Sequence, residues 1–461
     1  MEKCIVTPIS YIYFVIRRIF QSITRYIKCV ALALRLPGPE GAPIVGFIPK
    51  LRDNKFLEDL GTNASNYFGP IFRIWILFMP FVFIYEPEDL KAVLAHGRTS
   101  EKSFFYRIMH TFIGDGLITS NGEKWKRNRK FIQPYFQNNF LQNYYEIFSR
   151  CSLKLVQNVN NRRQVKVTEL INDCVLGILH EAILGVPSGE TKNSPFRKGE
   201  LLLLKRILKP WLLLDGVFKC SGMSKREKKQ QSALHQYVKR LLDQRLDDRK
   251  DNQINWNTCL LDYFIDLMET TDFTQEDLLN ECVTFMLAGQ DSVGATIAFC
   301  LYYLARNQSI QEKLFQEIDI VTRSNNSGKI DMDQVMRMPY LEQCIKETLR
   351  LAPSVPVISR VLTKDVALAN YVLPAGLNIF ISPFMTHRLP HIFPNPVVFD
   401  PDRFSEEGLK NIPSYAFIPF SAGSRNCIGY KFAYLEIKNI IAMLLQSHPE
   451  SKFRCNVGVR T

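Results

Sequence analysis

Cys427 stands between two glycines and beside an arginine, in the run Phe420-Ser-Ala-Gly-Ser-Arg425-Asn-Cys-Ile-Gly429. An amphipathic helix is predicted to begin directly after this run, so its N-terminal N–H groups would lower the pKa of the thiol and favour the thiolate. Gly423 permits a tight loop, and Gly429 lets the backbone come close to something flat and bulky. Arg425 supplies a permanent cation for an anionic arm. A haem with Cys427 as its axial ligand meets all of these demands.

Cys427 could instead be a zinc ligand, half of a disulfide or an unreactive core residue. A zinc site is disfavoured because the sequence has no Cys-x-x-Cys pair and no histidine close to Cys427. A disulfide is disfavoured because the eleven cysteines are odd in number and scattered, as in a reducing compartment. A buried, unreactive cysteine is the ordinary alternative. The flanking glycines and the arginine favour the haem ligand, because a core cysteine does not require them.

A second candidate site is the run Ala288-Gly289-Gln-Asp291-Ser292, inside an apolar helix predicted from Glu276 to about Arg306. A glycine within a helix costs about 1 kcal/mol relative to alanine, so its presence calls for a reason. A serine hydroxyl can bond the carbonyl four residues earlier and open the helix locally. Such a groove could hold dioxygen and a water, with Asp291 and Ser292 relaying protons. The alternative is a kinked core helix with a solvated Asp291.

Charged side chains elsewhere could support such a site. Glu347 and Arg350 lie three residues apart on one face of a helix predicted from about Met332 to Leu351. Together with Arg403 they would pin the Cys427 loop to the helical core, which is a scaffold role. A surface ion pair is the usual alternative.

Trp125 and Arg129 present an indole N–H and a guanidinium one turn apart on another predicted helix. Both donors can bind a carboxylate arm of a cofactor. The alternative for this segment is a basic, amphipathic surface.

The composition predicts one large, mainly helical unit. The 461 residues are 46% hydrophobic, and no Gly/Ser-rich linker or low-complexity tract divides the interior. The runs 71–76 and 81–85 predict a β-hairpin. The net charge of +13 suits an anionic membrane surface or an acidic protein partner. Nucleic acid is disfavoured because the basic residues form no stripe with interleaved aromatic side chains.

Residues 1–36 predict a membrane anchor or targeting segment, and residues 37–461 the globular domain. The uncharged, mostly apolar run Cys4–Ile16 has thirteen residues, fewer than the roughly 20 that span a bilayer as a helix. A second apolar piece, Ile27–Leu36, follows. The excess of basic over acidic residues would also fit a mitochondrial presequence, although we favour an anchor. The proline-rich run 36–43 predicts a stiff, non-helical connection to the domain.

The stretch Leu201–Phe218 is apolar with a proline break, and the basic cluster Lys225–Lys229 follows it. Two interpretations remain open for this stretch. It forms a buried helix pair, or it forms a mobile lid that covers a lipophilic pocket and dips into a membrane surface.

Taken together, these motifs resemble those of the cytochrome P450 monooxygenases, from about Pro37 to about His448. The resemblance implies a mainly α fold with small β-sheets and with haem b between two long helices. It implies that the Cys427 thiolate is the axial ligand of the haem iron and that the haem is otherwise bound non-covalently. The other residues that it assigns are Trp125, Arg129, Arg360 and Arg425 at the propionates, Phe420, Gly423, Gly429, Ala288 and Gly289 elsewhere at the cofactor, Asp291 and Ser292 as catalytic, and Glu347, Arg350 and Arg403 as structural.

Three stretches, 209–215, 347–356 and 417–429, look like the family-4 branch, whose members hydroxylate fatty acids and similar aliphatic chains. Three departures from the usual pattern stand out. Ser292 replaces a threonine and keeps the hydroxyl. Ala288 replaces a glutamate that can esterify the haem in many family-4 members, so we predict non-covalent haem. The tail after Cys427 is short, so we expect the strand pair that closes one side of the substrate pocket to be missing or incomplete.

The resemblance also implies partners and a location. Electrons would come from an NADPH-dependent flavoprotein reductase that docks near Cys427, with Lys431 and Lys438 as candidate contacts and cytochrome b5 as an optional second donor. The substrate would be a lipophilic small molecule, and the enzyme would lie on the cytoplasmic face of the endoplasmic reticulum membrane. The alternative location is the mitochondrial inner membrane, with a ferredoxin as donor. Alternative functions are a haem-thiolate isomerase or dehydratase and a non-catalytic haem- or lipid-binding protein.

Overall fold

The structure is a computed structural model, and it describes residues 8–41, 46, 50, 54–95, 100–136, 138–160, 166–198, 205–206, 208–250, 258–323 and 329–447. Helices dominate these residues, in agreement with the predicted fold class. The α-helices are, in chain order, α1 (Pro8–Arg35), α2 (Asn54–Phe68), α3 (Pro87–Leu94), α4 (Phe104–Ile113), α5 (Gly122–Ile132), α6 (Asn138–Asn160), α7 (Val167–Leu184), α8 (Asp215–Lys219), α9 (Gly222–Lys250), α10 (Leu260–Thr270), α11 (Gln275–Arg306), α12 (Gln308–Thr322), α13 (Met332–Met336), α14 (Pro339–Leu351), α15 (Pro383–Thr386), α16 (Glu406–Lys410) and α17 (Tyr430–Gln446).

Two small sheets accompany the helices among the described residues. The strands are β1 (Ile71–Ile76), β2 (Met79–Ile84), β3 (Ser100–Lys102), β4 (Ile358–Leu362), β5 (Val366–Ala367), β6 (Val372–Leu373) and β7 (Asn378–Ile381). The larger sheet has the order β1-β2-β7-β4-β3, and β5 pairs with β6. The antiparallel pairing of β1 with β2 confirms the predicted hairpin.

The long helix α11 lies at the centre of the fold, close to its predicted bounds. A capping box fixes its start, because the Thr274 hydroxyl accepts the Asp277 N–H and the Asp277 carboxylate accepts the Thr274 N–H. The helix α17 is buried on all sides from Leu435 to Leu445. The prediction of an amphipathic helix after Cys427 is therefore wrong, because α17 is enclosed by other helices rather than lying at the surface.

The predicted helix from Met332 to Leu351 is two helices, α13 and α14. Proline at the first position of α14 has no N–H to continue the earlier helix, and it disfavours helical geometry at the residue before it. Met338 accordingly has φ −111° and ψ 78°, outside the helical region. Glu347 and Arg350 therefore belong to a helix that begins anew at Pro339.

At the N-terminus, α1 is one continuous helix rather than two apolar pieces. Near its end, Cys29, Ala33 and Leu36 are buried, and Cys29 and Leu36 pack in the core of the larger sheet. Farther towards the N-terminus, apolar side chains are exposed, including Phe20 at 70%. Among the described residues, α11 is the one helix long and apolar enough to cross a membrane, and it is a core helix. Residues 1–7 lie outside the described residues.

The described part of the 201–218 stretch is not a buried helix pair. Residues Pro210–Leu213 form a 3₁₀ turn and α8 is a single short helix. Trp211, Leu214 and Val217 are exposed, whereas Leu213 and Phe218 are buried. Residues 201–204 and 207 lie outside the described residues. The expected loss of a strand pair in the tail falls on residues 448–461, which also lie outside them.

Candidate active site

The Cys427 loop is held by its own backbone and by one required glycine. The N–H of Cys427 donates to the carbonyl of Phe420 at 2.9 Å. Gly423 has φ +72°, and a Cβ there would lie 1.9 Å from the carbonyl oxygen of Leu94, so no other residue fits this turn. Gly429 has ordinary backbone angles, with φ −95°. A Cβ on it would meet only an aromatic ring at an ordinary 3.7 Å.

Cys427 is an exposed residue, although neighbouring protein atoms surround its thiol. Burial raises the pKa of this thiol above its usual value, and the Gly429 N–H and the Arg129 guanidinium oppose that rise. The prediction that the loop by itself lowers the pKa is wrong, because the loss of hydration outweighs one N–H and one cation. A bound metal ion would add a positive charge that favours the thiolate at this position.

Arg129 on α5 contacts the Cys427 loop directly. Its guanidinium donates to the carbonyl oxygen and to the side-chain Oδ1 of Asn426, both at 2.8 Å. Its Nε is buried and has no hydrogen-bond partner among the described residues. One donor of Arg129 is thus left for a further acceptor.

Arg425 lies against Trp125, with its guanidinium carbon 3.9 Å from the centre of the indole ring. Its nitrogens donate to the Ser120 carbonyl at 2.7 Å and to Asn121 Oδ1 at 3.0 Å. The structure therefore brings Trp125, Arg129 and Arg425 together on one side of the Cys427 loop.

A further cation, Lys102, was not found from the sequence. Lys102 on β3 lies directly opposite Arg360 on β4, where like charges repel. Burial, Arg360 and Arg425 together hold the pKa of Lys102 well below its usual value. Burial and Arg360 lower the pKa of Arg425 to about 10. Only the cross-strand register reveals this pair, because residues 102 and 360 are remote in the chain.

This group of cations fits the two carboxylate arms of a haem. Lys102, Arg360 and Arg425 crowd one another, and burial costs each of them hydration. A dianion would relieve that repulsion and would accept the free Nε–H of Arg129. The residues present thus fit the cofactor, with Cys427 as ligand and the cations at the propionates.

On α11, the Ser292 hydroxyl donates to the carbonyl of Ala288 at 2.7 Å, which is the bond expected from the sequence. The carbonyl of Ser292 accepts the hydroxyls of Thr296 at 2.8 Å and Ser354 at 2.9 Å. Ser354 lies after α14, so the loop that follows α14 is tied to this part of α11. The sequence did not indicate Ser354, because no local pattern marks a hydroxyl that bonds 62 residues away.

Asp291 and Gly289 differ from expectation. Asp291 is exposed, and partial burial raises the pKa of its carboxyl. Gly289 has a packing explanation, because a Cβ there would lie 2.9 Å from a methyl group of Leu179 on α7. The glycine allows α11 and α7 to approach, and α11 remains helical throughout. Gly289 is therefore explained by packing against α7, and it does not indicate a local opening of α11.

Glu347 and Arg350 form a buried, bidentate ion pair, at 2.7 and 2.8 Å. Arg350 also donates to the carbonyls of His387, Pro396 and Val398. Arg403 lies 3.6 Å from Glu347. These three residues therefore join α14 to the segment 387–403, which precedes the Cys427 loop.

One predicted surface contact is wrong. The side chain of Lys438 is 4% exposed and its Nζ lies 2.9 Å from Glu342. Because α17 is a core helix, this lysine faces α14 and cannot meet a docking partner. Lys431 is half-buried. Lys126 and Lys130 are exposed basic residues, and they line a depression of about 460 Å³ with Trp125, Arg129 and Ser424 of the Cys427 loop.

Comparisons with known proteins agree with this arrangement. The family model described as Cytochrome P450 matches residues 36–449. The chain is 41% identical to Probable cytochrome P450 4aa1 of Drosophila melanogaster over 97% of this chain and 90% of that protein. It is 30% identical to Cytochrome P450 4d2 of the same species, with 92% of each chain covered. It is 31% identical to Cytochrome P450 4V2 of Mus musculus, over 88% of this chain and 82% of that protein.

Proposed function

Because the chain belongs to the cytochrome P450 family of haem-thiolate monooxygenases, we propose that it hydroxylates an aliphatic, fatty-acid-like substrate. The observation that carries the haem-thiolate part of this proposal is the exposed residue Cys427 beside a cluster of crowded cations that fits the two haem carboxylates. The resemblance of three sequence stretches to the family-4 branch supports the substrate class. The relatives from Drosophila melanogaster and Mus musculus carry the same family-4 designation.

When bound, the haem supplies the redox chemistry that activates dioxygen. The chain supplies the remaining functions. Cys427 would bind the iron, and Arg129, Arg360, Arg425 and Lys102 would hold the carboxylate arms. The Ser292 hydroxyl, which donates to the Ala288 carbonyl in this structure, would turn away from that carbonyl to supply its proton on the haem side of α11. The exposed Asp291 carboxyl, one residue earlier in the chain, exchanges protons with water and replenishes the supply.

The substrate class is tested by adding saturated fatty acids of graded chain length to the ferric holoprotein and recording the substrate-induced spin-state shift. Fatty acids and their alkane analogues are expected to shift the spectrum and to be hydroxylated in an NADPH-dependent reaction. Bulky, rigid lipophiles of equal hydrophobicity serve as the control. Product formation without NADPH would instead support an isomerase or dehydratase. Binding without any turnover would support a haem- or lipid-binding protein.

Electrons come from an NADPH-dependent flavoprotein reductase with an acidic docking surface, and cytochrome b5 is an optional second donor. The basic depression lined by Lys126 and Lys130 supports this placement, since it lies against the Cys427 loop. Charge reversal at both lysines is expected to slow reduction by NADPH and reductase about tenfold at low salt, with a smaller difference at high salt. Reduction by dithionite should be unchanged. Lys239→Glu, at an exposed position of α9, is the control, and equal effects in both variants would contradict this docking site.

The enzyme lies on a membrane surface, on the cytoplasmic face of the endoplasmic reticulum, and the exposed apolar side chains of α1 support this proposal. Exposed apolar patches of this extent are typical of membrane or protein contacts, and Tyr26 of α1 bonds the carbonyl of exposed Phe78 in the β1–β2 turn. Replacement of Ile16 and Phe20 by glutamate is expected to release the protein from anionic vesicles, whereas Ile320→Glu on α12 is not. A fluorescent tag on residues 1–39 distinguishes this location from mitochondria.

A further inference from the structure

Glu281 on α11 is a fully buried carboxylate that the proposed chemistry does not use. Its Oε2 accepts the backbone N–H of Leu117 at 3.0 Å, and its Oε1 accepts the side-chain N–H of Asn128 at 3.0 Å. Leu117 belongs to the loop 114–121 between α4 and α5, and Asn128 belongs to α5. One carboxyl group therefore joins α5 and this loop to α11.

The loop lies so close to α11 that only glycine fits at two of its positions. A Cβ at Gly114 would lie 1.9 Å from Asn280 Oδ1, and a Cβ at Gly116 would lie 2.3 Å from Thr284 Oγ1. The Thr284 hydroxyl is buried and has no hydrogen-bond partner among the described residues. The contact between loop and helix is thus tight, and both oxygens of the Glu281 carboxyl take part in it.

Glu281 shares a face of α11 with Ala288 and Ser292, which follow it by seven and eleven residues. At the rise of an α-helix, those positions lie about 10 and 16 Å farther along the axis. On α5, Asn128 is adjacent to Arg129 and three residues from Trp125. Glu281 therefore connects the helix that carries two haem contacts to the helix that carries the proton-donating hydroxyl.

We propose that Glu281 is a positioning residue, whose carboxyl fixes α5 and the 114–121 loop on α11. It thereby sets the position of Trp125 and Arg129, and with them the haem carboxylates, relative to Ser292. The proposal rests on the haem site at Cys427 and does not depend on which substrate is hydroxylated.

The groups around Glu281 are largely paired with one another. They are Asp277 and the thiol of Cys282 on α11, Lys124 and Arg127 on α5, Asp115 on the loop and His110 on α4. Lys124 lies 3.1 Å from Asp115 and 3.2 Å from Asp277, and Arg127 lies 2.6 Å from Asp277. Glu281 is left with neutral N–H donors. Burial raises the pKa of its carboxyl to about 7, and those donors oppose the rise.

The direction of the pH effect follows from linkage. Any opening of the loop that admits water returns the pKa of Glu281 towards its usual value near 4.5. The closed form therefore binds the proton more tightly than the open form, and closure is favoured below pH 7. As the pH rises through 7, ionisation favours opening, and the contact between α5, the loop and α11 becomes looser.

The test uses the full-length ferric holoprotein with Glu281→Gln, and with Glu276→Gln as an exposed control on the same helix. Gln can accept one of the two N–H groups but presents its own N–H₂ to the other. Amide hydrogen exchange in residues 114–121 is expected to be about tenfold faster in Glu281→Gln than in the control. The midpoint potential of the haem is expected to change with pH around 7 in the wild type and in Glu276→Gln, and not in Glu281→Gln.

Equal loop exchange and equal pH profiles in the two variants would overturn the proposal. If Glu281→Gln does not retain haem, the proposal is tested by amide hydrogen exchange of the wild-type protein at two pH values. Protection of Leu117, corrected for the intrinsic exchange rate, is expected to be lower at pH 8 than at pH 6, and equal protection at both would overturn it. Because the exchange measurement involves neither NADPH nor substrate, its outcome is separate from that of the proposed hydroxylation.

Discussion

Arg129 and Asn426 lie 297 positions apart in the chain and are joined by two hydrogen bonds of 2.8 Å. Asn426 immediately precedes Cys427, so α5 holds the ligand loop directly. The Nε of the same guanidinium remains free among the described residues. One side chain thus connects the loop that carries the iron ligand to the place expected for a haem carboxylate.

Replacement of Arg129 by alanine is expected to weaken haem binding. Each hydrogen bond from a charged group contributes about 1.5–3 kcal/mol, and the variant loses both bonds to Asn426 together with the donor to the cofactor. Haem transfer to an apo-globin acceptor should be at least tenfold faster, by the same magnitudes. Lys130→Ala, at the exposed neighbouring position, is the control. Transfer rates equal to the control would show that Arg129 does not hold the site.

Removal of one partner of the Glu347–Arg350 pair is expected to destabilise the protein strongly. Both side chains are fully buried, and removal of one partner from a buried pair costs about 3–5 kcal/mol. Glu347→Gln should lower the free energy of unfolding by that amount in a urea titration. Asp402→Asn breaks the exposed pair with Lys313 and should cost at most about 1 kcal/mol. Similar losses in the two variants would contradict the buried-pair account.

Loss of the Ser292 hydroxyl is expected to uncouple NADPH consumption from product formation, so that less product is formed for each NADPH consumed. Positioned proton transfer contributes about 10²–10⁴-fold to rates, so Ser292→Ala and Asp291→Asn should form product at least about 10²-fold more slowly. Ser292→Thr keeps the hydroxyl and should retain activity. The measurement is the ratio of hydroxylated product to NADPH consumed. An unchanged ratio in Ser292→Ala would exclude the relay.

Acid is expected to destabilise the protein through His387. Its Nε2 accepts the N–H of Ile418 at 2.9 Å, and burial beside Arg350 lowers the pKa of the imidazole to about 3. Between the usual value of 6.5 and 3, the unfolded chain binds a proton that the native protein does not. The free energy of unfolding should therefore fall by up to about 1.4 kcal/mol per pH unit.

The dependence of the free energy of unfolding on pH should be shallower in His387→Gln. In this variant an amide oxygen can accept the N–H of Ile418. His391→Gln alters an exposed imidazole and is the control. The measurement is urea unfolding at pH 7.5, 6 and 5. Identical slopes in all three proteins would show that His387 is not responsible.

Local patterns were sufficient to predict the elements whose signals are contiguous in the chain. The tight turn at Gly423, the central helix α11 and the β1–β2 hairpin were predicted correctly. Lys102 was missed because its partner Arg360 is brought near only by the pairing of β3 with β4. Lys438 was misplaced because burial of α17 depends on the packing of the other helices. The same reasoning applies to Glu281, whose partners belong to a loop and a helix more than 150 residues away.

Direct evidence on the central claim comes from the optical spectrum of the reduced, CO-bound protein. Ligation by the Cys427 thiolate predicts a Soret band strongly shifted to the red, in the full-length wild-type protein. Cys427→His should bind haem without that shift, while Cys220→Ser, at an exposed cysteine far along the chain, should keep it. A wild-type spectrum without the red-shifted band would contradict Cys427 as the axial ligand and, with it, the monooxygenase assignment.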